Sequence, residues 1–225
     1  MWRAYARRSV LLALLASRLV AQAPVPDQSQ LNVVTQSPQP AIAGEAFRLP
    51  LVVTGGFGPY SWQRIGGNLP PGLKLHPHTG MISGALTTPG EYHFRVAVTD
   101  SSIPHLQAQR DLVIKVIAGL TIDWKQYPCV QGNTLSGSVV VSNQTEHAFD
   151  LTVIVVAVND IGRATALGYQ QFELPPKSDQ VIPFGASPGP GSYVIHADAV
   201  GHWSGDHHVY RARKETSKNL ELTQQ

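Results

Sequence analysis

The stretch from Leu69 to Gly84 constrains the fold more than any other part of the sequence. It reads LPPGLKLHPHTGMISG, and its two adjacent prolines fix φ and remove two backbone donors. Gly72 and Gly80 can supply the positive φ that a tight chain reversal needs. Between them, Leu73 and Leu75 alternate with polar residues, which is the period of a half-buried strand. The stretch therefore predicts two short strands, each entered through a tight turn.

Short alternating strands continue on either side of this stretch. Apolar residues recur at every second position from Leu49 to Val53, at Tyr60 and Trp62, from Tyr92 to Val98 and from Leu112 to Val116. Turn sequences rich in Gly, Pro, Asn and Ser separate these runs at short intervals. Such spacing is typical of a β-sandwich, in which a Trp on a central strand fills the space between the sheets. We therefore predict a core position for Trp62.

The segments LPPGLKL, TGMISG and PGEYHFRVAVTD together resemble the immunoglobulin-like, cadherin-like repeats of bacterial surface proteins over about residues 41–118. The resemblance implies an immunoglobulin-like sandwich, and it brings no active site with it because one fold serves many functions. Cadherin-like domains often bind calcium at their junctions, which takes several carboxylates brought together. Here the nearby acidic residues Asp100, Asp111 and Asp123 are single and scattered. We expect Asp100 to cap a turn instead.

The alternating pattern restarts near residue 119. Leu120, Ile122 and Trp124 alternate, and the run LTVIVVAV from Leu151 to Val158 is almost continuously apolar. A run of that kind predicts a central strand that is covered on both faces. The segments GNTLSGSVVVSN and PGSYVIHADAV are similar to immunoglobulin-like adhesion modules of prokaryotic surface proteins. No segment has a helical period, so the sequence predicts an all-β protein with two tandem immunoglobulin-like β-sandwich domains.

The predicted boundaries follow from these patterns. A signal peptide covers 1–23, and a linker rich in Pro, Gln and Ser covers 24–40, in which LNVVT could form a first edge strand. The first sandwich covers 41–118 and the second covers 119–214. The polar tail 215–225 is expected to fray.

The first residues have the order of a secretory signal. Arginines at positions 3, 7 and 8 precede the apolar run SVLLALLAS, and small residues follow at Ala21 and Ala23. The apolar run is shorter than the roughly 20 residues that span a bilayer. We therefore expect export to the periplasm, the cell surface or the medium, and no integral membrane segment after cleavage.

Composition argues against several functions. The 17 basic residues nearly cancel the 15 acidic ones, and charged residues make up only 14% of the chain, so we expect no nucleic-acid partner. Cys129 is the only cysteine, which excludes an internal disulfide and favours a buried thiol. No nucleophile elbow, zinc-protease motif or phosphate-binding glycine loop occurs. We predict a protein that is not an enzyme.

The predicted function is that of a binding, adhesion or structural module of the cell envelope, which recognises a protein or a polysaccharide through its loops or sheet edges. Loops on rigid sandwiches commonly carry recognition, and aromatic residues near such loops are the candidate contacts. These ligand-binding candidates are Phe57, Tyr60, Trp203 and Tyr210. A second mode is the addition of a partner's strand at an unpaired sheet edge. The oligomeric state is left open.

The alternative function is metal binding by the histidine-rich segment HADAVGHWSGDHH. If this segment forms a hairpin, His196 and Asp198 share one face, and His207 or His208 could lie opposite them. Three such ligands on one face could hold zinc or copper. The candidate metal ligands are therefore His196, Asp198 and His208. Their spacing matches no known motif, so the sequence predicts no cofactor, with calcium and zinc as unsupported alternatives.

Export can be tested at the N-terminus of the protein. When the full chain is expressed in a bacterial host, the exported form should begin at Gln22 or Pro24, because signal peptidase cuts after a small residue. Intact-mass measurement of the periplasmic and extracellular fractions checks this. Recovery of only the uncut chain from the cytoplasm would contradict it.

Overall fold

The computed structural model describes residues 30–205 and 207–223. Within those ranges the protein contains strands and turns and no helix, as predicted for an all-β chain. The predicted signal peptide and the first part of the predicted linker lie outside the described residues. Among those that are described, no helix is long and apolar enough to cross a membrane.

Nine short strands form the first sandwich within the described residues. A four-stranded sheet has the order β2-β9-β8-β5, a three-stranded sheet has the order β3-β7-β6, and β1 pairs with β4. Only β2 and β9 run parallel among these pairs. The strands are β1 (Asn32–Val33), β2 (Ala41–Ile42), β3 (Ala46–Pro50), β4 (Val53–Thr54), β5 (Ser61–Gly67), β6 (Leu73–Leu75), β7 (Met81–Ala85), β8 (Gly90–Thr99) and β9 (Gln107–Ile117).

The stretch from Leu69 to Gly84 folds as its turn residues predict. Leu73 N donates to the Pro70 carbonyl at 3.1 Å, and Gly72 and Gly80 have φ of 91° and 67°. The two strands that follow these turns are β6 and β7. Gly80 also lies against Trp62, since a Cβ there would be 2.6 Å from the indole Nε1. The second turn is thus packed directly on the core.

The first core lies between these sheets. Trp62 is only 5% exposed, which confirms its predicted core position. Ile82 from β7 packs in the same cluster as Val96 and Val98 from β8 and Ile114 from β9. Side chains from both sheets therefore meet in one buried cluster, as an aligned sandwich requires.

The predicted strand from Leu49 to Val53 is broken in the structure. It divides into β3 and β4, which belong to different sheets. Pro50 cannot donate to a ladder, and Leu51 N turns instead to the Gly80 carbonyl at 2.9 Å. The chain therefore changes sheets at Leu51, which is itself buried.

The second half of the predicted linker lies against the first sandwich. Leu31 and Val33 are each 5% exposed and belong to its core, and β1 pairs with β4. Thr35 Oγ1 accepts from Val52 N at 2.7 Å. The apolar alternation within LNVVT therefore outweighs the linker-like composition around it, and the edge-strand alternative describes this segment.

Eight strands form the second sandwich within the described residues. One sheet has the order β10-β11-β14, and the other has the order β13-β12-β15-β16, with β17 also paired to β15. All of these pairs are antiparallel. The strands are β10 (Leu120–Gln131), β11 (Thr134–Asn143), β12 (Phe149–Asn159), β13 (Ala164–Leu174), β14 (Asp179–Ala186), β15 (Gly191–Trp203), β16 (His208–Glu215) and β17 (Leu220–Leu222).

Strand β12 is central in its sheet, as predicted, but it is covered on one face only. Leu151, Val153 and Val155 point into the core and are at most 1% exposed. Ile154 points the other way and is 40% exposed. The prediction of a strand covered on both faces was wrong, because the second sheet packs on one side and nothing in the described chain packs on the other.

The predicted free tail is partly built into the second sandwich. Thr216 is buried, donates from its N to the Ile195 carbonyl at 3.0 Å and accepts from Ile195 N through Oγ1 at 3.1 Å. Strand β17 then pairs with β15, and Leu222 enters the second core. Two leucines at alternate positions are enough to dock an otherwise polar segment.

The two buried clusters predict two unfolding events. Ile82→Ala in the first core and Leu151→Ala in the second should each cost about 2–5 kcal/mol, because both side chains are fully buried. Calorimetry should show two transitions, with each substitution lowering its own. Val181→Ala, at an exposed strand position, is the control. A single transition that both substitutions lower equally would contradict independent domains.

Candidate binding surface

The predicted metal ligands are not brought together in the described structure. His196 and Asp198 do share one face of β15, but the register places Glu215 and Arg213 opposite them. His196 Nδ1 lies 3.1 Å from Glu215 Oε1, and Asp198 Oδ1 lies 2.6 Å from Arg213 Nε. Both residues are therefore engaged by partners on β16.

His208 lies far from that pair and faces the other side of the sheet. It is in register with Trp203, seven positions along β15 from His196, and its ring contacts Tyr210 at 4.5 Å between centroids. Within the described residues, no group of three or more His, Cys, Asp or Glu side chains could hold a metal ion. The hairpin register, which the sequence does not specify, separates the predicted ligands.

The predicted aromatic contacts of the first sandwich differ in exposure. Phe57 is 54% exposed in the loop before β5. Tyr60 is half-buried, packs against the first core and donates its hydroxyl to the Gly55 carbonyl at 3.0 Å. Phe57 is therefore available to a partner, whereas Tyr60 supports the glycine-rich loop that carries it.

The two predicted aromatic contacts of the second sandwich are partly or wholly covered. Trp203 is half-buried and stacks on His147, with centroids 3.7 Å apart and planes 6° apart. Tyr210 is only 5% exposed and stacks on Phe149 in the core. The alternation of β16 turns Tyr210 inward, so the prediction that it contacts a ligand does not fit its position.

The three acidic residues considered for calcium each have another use. Asp111 forms a two-point ion pair with Arg95, at 2.7 and 2.9 Å, and Asp123 pairs with Lys214 at 2.8 Å. Asp100 is 4% exposed and caps a turn, as expected. Its carboxylate accepts from the amides of Phe57, Ser102 and Leu106 and from the Ser102 hydroxyl.

The open face of the second sandwich is the surface that the sequence did not predict. This face is the outer side of the sheet β13-β12-β15-β16. The register places Ile154 between Tyr169 on β13 and Asp198 on β15, and it places Val200 between Thr152 on β12 and Arg211 on β16. Tyr169 is 62% exposed, Ile154 40% and Val200 36%. Ile154 is in the same row as Tyr169 and is diagonal to Val200, so the three side chains form an apolar strip with Asp198 and Thr152 at its sides.

Polar groups frame this strip on the side of β16. The Asp198–Arg213 and His196–Glu215 pairs lie in successive rows, and Arg211 lines a shallow depression together with Ile154. On the side of β13, the Tyr169 hydroxyl donates to Gln171 Oε1 at 3.2 Å. The open face is thus apolar at its centre and polar at its rim, which is the usual anatomy of a protein interface.

One feature of the sequence could have found the open face. The run LTVIVVAV supplies apolar side chains to both sides of β12, while the other strands supply them mainly to one side. Only the topology reveals that the second side is left uncovered, because the strands of the other sheet all pack against the first side.

A cleft of about 440 Å³ lies where the two sandwiches meet. Its lining includes Gly44 and Leu86 from the first sandwich and His208 and Tyr210 from the second. A Cβ at Gly44 would lie 2.3 Å from His208 Nε2, so the two sandwiches touch at this point. The cleft is the seam between them, and we do not assign binding to it.

Residues 30–116 match the family model described as "Putative Ig domain". The predicted resemblance to immunoglobulin-like repeats is thereby confirmed, and the match also includes the segment around β1. No curated protein matches the chain.

Several solved structures are similar to the chain. The crystal structure of a "putative alpha-galactosidase" from Bacteroides fragilis shares 26% identity over 36% of this chain and 17% of that one, with a TM-score of 0.31. The alpha-2-macroglobulin of E. coli shares 13% identity over 87% of this chain and 17% of that one, with a TM-score of 0.38. Protocadherin gammaB7 shares 10% identity over 85% and 46%, with a TM-score of 0.34. The chain thus spans about a sixth of the length of the first two proteins.

Asp100 predicts a pH-dependent stability of the first sandwich. Burial opposes ionisation of its carboxyl, but the hydrogen bonds from Ser102, Leu106 and Phe57 outweigh burial and lower the pKa of Asp100 to about 2. An unfolded aspartate has a pKa of about 3.9. The stabilisation is therefore complete above about pH 4 and is lost as the pH falls towards 2.

The substitution Asp100→Asn tests this account. Its amide group would face backbone donors that now meet a carboxylate, so the first unfolding transition should be lower than in the original protein at pH 7. The difference should shrink as the pH falls from about 4 towards 2. Asp111→Asn, which breaks an exposed ion pair, should change little. A pH-independent difference would contradict the role of the ionised Asp100.

Proposed function

We infer that this chain, whose residues 30–116 form an immunoglobulin-like domain of the matched family, is an exported, non-catalytic binding module of the cell envelope. We propose that it recognises a protein partner through the open face of its second sandwich. The observation that carries this proposal is the exposed apolar strip of Tyr169, Ile154 and Val200.

The composition of the open face supports a protein partner. Aromatic residues and Arg are enriched at protein interfaces, whereas Lys and Glu are depleted there. The strip combines Tyr169 with two aliphatic side chains, and two arginines stand in adjacent rows of β16. Contiguous exposed apolar surface of this kind marks interaction sites in soluble proteins.

The open face fits a polysaccharide ligand less well than a protein partner. Sugar recognition relies on aromatic ring faces with polar groups beside them, and the open face has a single exposed ring, Tyr169. The other apolar members are β-branched aliphatic side chains, which pack well against another protein. The predicted loop aromatics give little additional platform, since among them only Phe57 is exposed.

The use of the ionisable side chains supports a role without catalysis. Asp100 is committed to a turn, and Asp111, Asp123 and Asp198 each pair with a basic residue. Such contacts occupy the carboxylate oxygens, whereas catalytic carboxylates have to contact a substrate or transfer a proton. Export is supported by the signal-like order of the first 23 residues.

Co-sedimentation with envelope material from the source organism tests the proposal. The exported form of the chain should be retained, and protease treatment of the envelope should abolish retention. Val200→Lys and Ile154→Lys should each weaken retention by about tenfold or more, because they put a charge in the centre of the apolar strip.

Val181→Lys is the matched control. Val181 is an exposed valine at 44% on the outer side of β14, in the opposite sheet. Its substitution should leave retention unchanged. Retention that survives protease would indicate a polysaccharide or lipid ligand, and equal behaviour of all three lysine variants would exclude the open face as the binding surface.

A further inference from the structure

The edge of β13 differs from every other long sheet edge in the described part of the protein. Within the described residues, strand β13 forms a ladder only with β12; its other side has no ladder partner and lies beside β14 of the other sheet. Its sequence, ATALGYQQFEL, contains no Lys, Arg or Pro. The ladder has a register shift near Val155 and Val156, after which Gly168–Leu174 runs in regular pairing with β12.

The other free edges of the described structure carry the features that prevent edge-to-edge pairing. Proteins protect edges with Lys, other charges, Pro, bulges or very short strands. β17, β1, β2, β4 and β6 have at most three residues each. The longer edges carry Pro, Lys or Arg, which β13 lacks: Pro183 on β14, Arg211 and Lys214 on β16, Lys125 and Pro128 on β10, Arg64 on β5, Arg48 and Pro50 on β3, and Arg110 and Lys115 on β9.

We propose that the β13 edge binds a second copy of this chain, with the two β13 strands paired antiparallel. This pairing would join the two β13-β12-β15-β16 sheets into one continuous sheet across a twofold axis. The partner is identified by the chemistry of the edge, which is neutral over most of its length and therefore compatible with its own copy.

Charge placement supports self-pairing. The only charged residue of β13 is Glu173, near one end of the strand. In an antiparallel pair centred anywhere from Tyr169 to Gln171, the two Glu173 residues lie at least four positions apart. At a rise of about 3.3 Å per residue, this separates them by roughly 13 Å, so like charges do not oppose the contact.

The exposed side chains of β13 also gain from self-pairing. Tyr169 is 62% exposed at the edge, and the amides of Gln170 and Gln171 are next to it. Cross-strand neighbours on a paired edge are about 4.5–5.5 Å apart at Cβ, so aromatic and amide side chains from the two copies would pack and hydrogen-bond. A symmetric interface of this kind uses the same patch twice.

Sedimentation velocity across a wide range of protein concentrations tests this proposal. The exported chain should show a concentration-dependent monomer–dimer equilibrium. Gln170→Lys should weaken dimerisation by about tenfold or more, because it places like charges close together in the paired edges. Gln63→Lys, at an exposed glutamine on the edge strand β5 of the first sandwich, is the matched control and should dimerise normally.

Disulfide trapping locates the contact. In a Cys129→Ser background, single cysteines at Tyr169, Gln170 or Gln171 should cross-link two copies under mild oxidation, whereas Gln63→Cys should not. A chain that stays monomeric at all concentrations would overturn the proposal. So would dimers that Gln170→Lys and Gln63→Lys weaken equally, or cross-linking without preference for β13.

The outcome is separable from that of the proposed function. Val200→Lys should reduce envelope retention without changing dimerisation, because Val200 lies on β15 and away from the edge. A monomeric chain that loses retention on Gln170→Lys would indicate that the edge takes a strand from another protein, which also overturns the second copy as its occupant.

Discussion

The structure depends on the fact that a sheet has two faces and a sandwich covers only one of them. In both sandwiches the buried clusters come from alternate residues of facing sheets. Residues between them look outward, where polar side chains are expected. The second sandwich departs from this rule at β12, which places Ile154 on the outside. That departure makes the open face the surface that calls for a functional explanation.

Buried polar side chains stabilise the turns of both sandwiches. They bond to backbone groups that have no partner in a strand ladder. Asp100 gathers three backbone amides in the first sandwich. Asn143 does the converse in the second, where its Nδ2 donates to the carbonyls of His147, Leu174 and Pro175 and its Oδ1 accepts from Thr145. Asn143 and Thr145 are at most 1% exposed, and they hydrogen-bond to each other inside the turn. Both sandwiches therefore need their polar residues as much as their apolar ones.

Most of the fold could be predicted from the sequence, because its strands and turns follow from local patterns of residues. Period-two alternation located most of the strands, and the Pro-Pro-Gly and Thr-Gly turns identified the type of domain. The errors occurred where local pattern competes with topology. At Pro50 the missing backbone donor moves the chain to another sheet, and in the tail two leucines dock a segment whose composition suggested fraying.

The proposed binding surface was harder to predict because it depends on which faces and edges remain uncovered. Alternation places His196 and Asp198 on one face correctly, but only the hairpin register shows that Arg213 and Glu215 lie opposite them. Tyr210 is an aromatic residue beside a loop, and only the direction of β16 shows that it points inward. Tyr169 was not among the predicted contacts, because alternation alone does not show how exposed a residue is at the edge of a sheet.

The open face and the β13 edge meet at Tyr169, and this geometry links recognition to assembly. A pair of chains joined along β13 would align their open faces on the same side of one extended sheet. Each face would then act at the effective concentration set by the other, so that weak single contacts with an envelope protein would combine into firm attachment. A shallow, partly polar strip is better suited to such repeated contact than to tight binding by one copy. The unprotected edge and the uncovered face are thus consistent with one function, in which assembly multiplies a modest interaction.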